Sequence, residues 1–517
     1  MKIVFLSGFL YTLFIANAYG FSQFRSQSAL KSFSKKYARE SRLRKRESLE
    51  LGKKYTQWIE QPLDHFNPQN EQTWKQRYFV NDEYYSKDSG TVFLCVGGEG
   101  PALTAAVVTE DNIHCSLMVK LAKEKKGLIV AVEHRFYGKS IPTNDFTTES
   151  LQFLSSQQAL ADLARVHQHV SKEYAIPGKT KWIAFGGSYP GVMASFFRIK
   201  YPHLVWAAVA SSAPVEAIAN MQGYNNVVAE SLAAPEVGGS PECRDSVRQS
   251  FVELGEHLGS FHGRRELETL FRICAPLSLD DGKNQLVFTE SLMSLFPLQS
   301  NDPSCTESLC NYEKICKLFT KEGMKPFEAL TVLAENDFID GSCMHVSFAK
   351  ELANLKDTSL SSGSDRSWIY QTCTEFGFYQ TCDPETECVF CSKPHLNTLD
   401  SYYYLCRKAF GISGDVTEER IRYSNLYYGG NRTDATRIFY VNGQVDPWRS
   451  QSVQTSSNPE LPALMVPGAS HHFWTHPEKE SDSMAVVEAR TEIRNQIDKW
   501  LAEPYETAGR MFTGVIQ

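Results

Sequence analysis

At 517 residues the chain is long enough for one large domain with an insertion, or for two or three ordinary domains. A composition of 42% hydrophobic and 22% charged residues is that of a globular protein with a sizeable core, which excludes a disordered or fibrous chain. A net charge of -7 offers no basic surface, so nucleic acid is excluded as a partner.

Residues 1–20, MKIVFLSGFLYTLFIANAYG, place Lys2 before a short apolar run and end on small residues, the pattern of a secretory signal cut after about Ala18 or Gly20. The run is shorter than the ~20 residues a membrane span needs. No later segment spans either, so a soluble mature chain is expected. Residues 21–57 are polar and basic without apolar period and read as a flexible segment, in which Arg42 to Arg46 is either a convertase site that would make the residues up to Arg46 a propeptide or a solvated charge run.

Beyond Trp58 short β-branched runs stop at glycines. TVFLCVGGEGP predicts a strand over about 91–96 and GLIVAVEHRFYG another over about 128–133, with a helical pattern between them. SQQALADLARVHQHVSKEY reads as a helix, KWIAFGG as a third strand and WAAVASSAPV as a fourth. RIFYVNGQVDPW and ALMVPGASHH add two more, and MAVVEARTEIRNQIDKWL closes as an amphipathic helix. Continuous apolar strands alternating with helices mean a parallel sheet covered on both faces, an α/β fold. The alternation stops between about 216 and 425, where helical patterns and most of the 13 cysteines lie. The expected architecture is therefore an α/β domain in two parts, 58–215 and 426–517, around a disulfide-rich helical cap, 216–425. Clustered cysteines in a secreted chain read as disulfides, and their odd number leaves at least one thiol over.

WIAFGGSYPGVMA turns from a strand through glycines into a helix with Ser188 at the turn, the pattern of a nucleophile elbow. Gly186 fits the usual spacing; position 190 is Pro, and Gly191 comes one residue late. Asp446 and His471 each follow a strand, which completes the chain order nucleophile, acid, base of the α/β-hydrolase fold. Ser188 needs a base, and His471 needs Asp446 to fix its tautomer and stabilise the imidazolium. His472 competes for the role of base, and His471 is preferred. His134 precedes the serine and reads as structural. The oxyanion hole is expected from the backbone N–H groups of Tyr189 and of Gly98 in the loop Gly97 to Gly100. That loop lacks phosphate-loop or dinucleotide spacing. The Cys388 and Cys391 pair lacks the second pair that a four-ligand zinc site requires. No metal and no cofactor are expected. Asn431-Arg432-Thr433 is a glycosylation sequon, hence a surface loop.

Several phrases in one order, WIEQPLDHFNP (58–68), GGEGP, EHRFYGKS, SSQQALADLA, FGGSYPG, VASSAPV, CTEFGFYQT, NGQVDPW and GASHH, resemble the serine carboxypeptidase family of lysosomal Pro-Xaa carboxypeptidase, dipeptidyl peptidase II and thymus-specific serine protease. EFGFYQT and VNGQVDPW are most similar to the thymus-specific branch. The resemblance implies a secreted, endosomal or lysosomal serine exopeptidase that hydrolyses short peptides after proline, with the triad Ser188, Asp446 and His471. It also favours His471, since members with one histidine here carry it directly after Gly-x-Ser. The chain departs from the family at 473–475, where an aspartate is often found. Carboxypeptidase or dipeptidyl peptidase preference stays open, and a homodimer is compatible with the sequence. The alternatives are an esterase or lipase on the same fold, or a catalytically idle binding protein.

Overall fold

The computed structural model describes residues 50–504 apart from 110, 111, 113, 338–341, 361, 362 and 393. The signal reading of residues 1–20 and the convertase site at Arg42 to Arg46 lie outside the described residues. Among the latter no helix is long and apolar enough to cross a membrane.

The strands are β1 (Thr56–Pro62), β2 (Thr73–Asn81), β3 (Thr91–Val96), β4 (Leu128–Val132), β5 (Lys181–Gly187), β6 (Ala207–Ser211), β7 (Ile218–Asn220), β8 (Gly377–Tyr379), β9 (Ile438–Gly443) and β10 (Ala463–Val466). Eight of them form one sheet in the order β1-β2-β4-β3-β5-β6-β9-β10. β1 and β2 are antiparallel to their neighbours, and every other pairing in that sheet is parallel. This is the α/β-hydrolase order, and both faces are covered. Val92, Leu94 and Val96 enter one core with the helices Ser156–Glu173 and Tyr189–Lys200. Phe93 and Cys95 enter the other, with the helices Ser116–Lys125 and Met484–Ala502. The period of two along β3 thus divides its apolar residues between two layers.

Between adjacent strands β6 and β9 the chain leaves the sheet and forms a largely helical body, with β7 and β8 as a small parallel pair. Five disulfides lie within it: Cys243–Cys316, Cys274–Cys343, Cys305–Cys310, Cys373–Cys406 and Cys382–Cys388. A sixth, Cys95–Cys115, ties β3 to the helix behind it. Cys391 is the one free thiol among the described residues, and its Sγ lies 2.9 Å from that of Cys382.

Two expected boundaries shift. Residues 50–57, read as flexible, are a helical turn and the start of β1, because Tyr55 is only 4% exposed and Thr56 already pairs with Phe79. The break placed at 425 falls inside the helix Gly414–Tyr428, which runs on until Gly429 takes a left-handed conformation at its C-cap.

Candidate active site

Ser188 directly follows β5 and is the N-cap of the helix Tyr189–Lys200, with φ 64° and ψ -136°. A serine rarely adopts this backbone, and it is held here by Ser188 N–H donating to Ser211 O and Val192 N–H donating to Ser188 O. The turn is so tight that a Cβ on Gly186 would lie 2.1 Å from Pro190 O. That contact explains the glycine before the serine.

Asp446 lies three residues past β9 and His471 five past β10, so both occupy the carboxyl edge of the sheet with Ser188. His471 Nδ1 is 2.9 and 3.0 Å from the two Asp446 carboxylate oxygens. Nδ1 therefore carries the proton and donates it, and Nε2 is left as a bare acceptor. Nε2 is buried and has no hydrogen-bond partner among the described residues. Asp446 is fully buried and also accepts from Trp448 N–H at 3.0 Å.

His472 is turned elsewhere. Its backbone is left-handed, its N–H donates to Ser212 Oγ, and its Nδ1 lies 3.2 Å from Thr475 Oγ1. Burial, with His471 and His476 nearby, holds this imidazole far below the ordinary histidine range. A Cβ on Gly187 would touch its ring at 2.9 Å, so His472 packs the histidine loop against the end of β5.

The glycine loop after β3 lies against the start of the Ser188 helix, since a Cβ on Gly98 would lie 2.5 Å from Pro190 Cγ. Gly98 and the helix's first residue, Tyr189, are thereby brought together, and an N–H at that helix position has no intrahelical acceptor. Glu99, on the same loop, has one buried carboxyl oxygen without a partner among the described residues. Burial raises this carboxyl to about 7, against the lowering effects of its own backbone N–H and of His471.

A family profile described as serine carboxypeptidase S28 matches residues 61–493. The chain belongs to the serine carboxypeptidase S28 family. It is 35% identical over 459 residues to the thymus-specific serine protease of Mus musculus, covering 86% of this chain and 87% of the relative. The Homo sapiens counterpart is 35% identical over 456 residues, covering 86% of both chains. The lysosomal Pro-X carboxypeptidase of Bos taurus is 28% identical over 467 residues, covering 88% and 89%. The chain is accordingly a serine-type peptidase.

Around this candidate site the sequence gives no sign of two supports, Gln299 and Gln371. Gln299, from the helical body, accepts His471 N–H through its backbone oxygen at 3.1 Å and Trp448 Nε1–H through its side chain at 2.7 Å. It fixes the histidine and its aromatic neighbour together. Gln371 donates to Tyr189 Oη at 2.9 Å, accepts from Tyr137 Oη at 2.6 Å and donates to Glu375 at 3.0 Å. His134 Nδ1–H donates to Arg135 O, so Nε2 accepts from Tyr189 Oη, and burial holds this histidine down to about 4. It is a structural acceptor, as its place before the serine implies. None of these residues stands in a recognisable motif except His134. The sequon asparagine, Asn431, is exposed, and its side chain donates to Glu216.

Proposed function

We propose that this S28 chain hydrolyses short peptides on the carboxyl side of proline through an acyl-enzyme on Ser188. Ser188 Oγ attacks the scissile carbonyl carbon while His471 Nε2 takes its proton, and Asp446 holds the tautomer and stabilises the imidazolium. The N–H groups of Tyr189 and Gly98 receive the oxyanion. Collapse of the tetrahedral intermediate breaks the C–N bond, with His471 returning the proton to the leaving amine. Water then attacks the ester by the same route in reverse and releases Ser188.

The observation that carries this reading is the oriented imidazole: Nδ1 is fixed by Asp446, and the bare, buried Nε2 belongs to the same sheet edge as the strained serine. Preference for proline is supported by the printed name of the bovine relative and by the apolar surroundings of His471, whose ring centroid lies 6.2 Å from that of Trp448, with Phe378 5.6 Å beyond. A helical body over the sheet edge admits chain ends better than folded loops. Six disulfides and an exposed sequon support a glycosylated protein of the secretory pathway, and the lysosomal relative supports an endosomal or lysosomal destination.

The test is a fluorophosphonate probe followed by a mixed peptide library. Covalent labelling of the wild type but not of Ser188→Ala, with cuts concentrated after proline, is expected. Absence of labelling on folded protein overturns the mechanism, and cuts indifferent to proline overturn the specificity.

A further inference from the structure

The helical body contains a small cavity, about 80 Å³, that shares Trp448 with the site just described. Five aromatic residues contribute to its walls: Trp368, Phe378, Tyr379, Tyr402 and Trp448. Two polar side chains among the lining residues have buried acceptor atoms with no partner among the described residues. One is Glu290 Oε2, on the helix Gly282–Met293. The other is Oδ1 of Asn397, a side chain only 6% exposed, whose Nδ2 is already committed to Gln380 O at 2.9 Å. Behind Glu290 stands Glu351, on the helix Phe348–Lys356, again with a buried carboxyl oxygen lacking a partner among the described residues. No lysine, arginine or histidine lines the cavity.

Buried acceptors without donors are uncommon and call for a missing partner. An anion would meet a carboxyl and no compensating cation, and a purely apolar ligand would leave both acceptors unsatisfied. A cation bearing N–H groups answers the acceptors and the aromatic walls at once, because ring faces attract positive charge. We infer that this cavity is a subsite for an ammonium group of the peptide substrate, held by Glu290 and Asn397 between the rings of Trp368, Tyr402 and Trp448. The inference rests on the peptidase reading for the identity of its ligand. Burial keeps the empty-cavity carboxyls protonated, Glu290 to about 8 and Glu351 to about 9, the latter with Glu290 adding to the effect. A bound ammonium takes the place of the Glu290 proton.

A peptide offers that cation at its free N-terminus or on a lysine, and the experiment separates the two. At pH 8, KM is compared for a proline-containing peptide with a free or an acetylated N-terminus, and with lysine or norleucine at each position upstream of the proline. Loss of the responsible ammonium should raise KM roughly 10- to 100-fold, the size of a charge-assisted hydrogen bond. Glu290→Gln should erase the difference between the paired peptides, and Asn397→Leu should shrink it. Paired peptides with equal KM on wild-type protein overturn the inference. So does a Glu290→Gln enzyme that still discriminates between them. A readout independent of turnover uses Ser188→Ala protein and tryptophan fluorescence: butylammonium should quench or shift the emission at concentrations where butanol does not. Equal responses to the two probes overturn the subsite even if the peptidase chemistry stands, whereas selective butylammonium binding by a chain that turns over no peptide would leave the subsite standing and sink the peptidase reading alone.

Discussion

His471 and His472 have ring centroids 4.6 Å apart, yet only His471 reaches the Asp446 carboxylate. Under the proposed mechanism His471→Ala should lower kcat by at least about 10³ and stop fluorophosphonate labelling, whereas His472→Gln should still label. Labelling rates of the two purified variants decide the assignment. Asp446→Asn should keep the fold and lose on the order of 10⁴ in kcat, because the amide favours the wrong tautomer. Gly98→Ala tests the loop facing the helix: its Cβ would meet the Pro190 ring, so the loop must shift and kcat should fall more than KM rises. The chain order of serine, aspartate and histidine was legible in the sequence. What separates the two histidines was not, because it depends on a φ of 38° at His472 that directs its ring to Gly187.

Among the elements, the turn after β4 organises its surroundings through one carboxylate. Glu133 is 2% exposed and accepts from the Arg77 guanidinium, from the N–H groups of Leu103 and Lys139, and from Ser140 Oγ. It thereby ties β2, the glycine loop's far end and its own turn together. Glu133→Ala leaves Arg77 and two backbone donors without that acceptor, and should cost about 3–5 kcal/mol in a urea unfolding titration. The strands buried on both faces were readable as β-branched runs, since a strand between two layers has no polar side to break the pattern. β1 and β2 were not read as strands. TWKQRYFVN in β2 is half polar because Lys75 is exposed and Gln76 is buried against Gln61, so its apolar signal is diluted. Gln299, Glu290 and Asn397 were equally illegible, for they come from separate segments of the helical body and stand in no motif.

For the whole molecule, buried titratable groups set a pH of greatest stability. Glu290 and Glu351 are raised from 4.5 to about 8 and about 9 by burial, and Glu99 is raised to about 7. As pH rises from 4.5 through these values the folded state keeps protons that the unfolded chain has released, so their contribution, complete below 4.5, is lost. Desolvation lowers the buried His134 and the half-buried His114 and His167 to about 4, which removes stability as pH falls below 6.5. Tm should therefore be greatest in mildly acidic buffer and fall toward pH 9, and Glu290→Gln with Glu351→Gln should flatten the alkaline side. Calorimetry across pH 5 to 9 checks both slopes. The sheet has one more consequence, in time. β6 and β9 are neighbours, but residues 212–437 are synthesised between them. At about 5–20 residues per second, roughly 10–45 s pass in which the edge of β6 has no partner strand and Ser188 has neither Asp446 nor His471. The nascent chain thus carries Ser188 without the two partners of the proposed triad until His471 has been made.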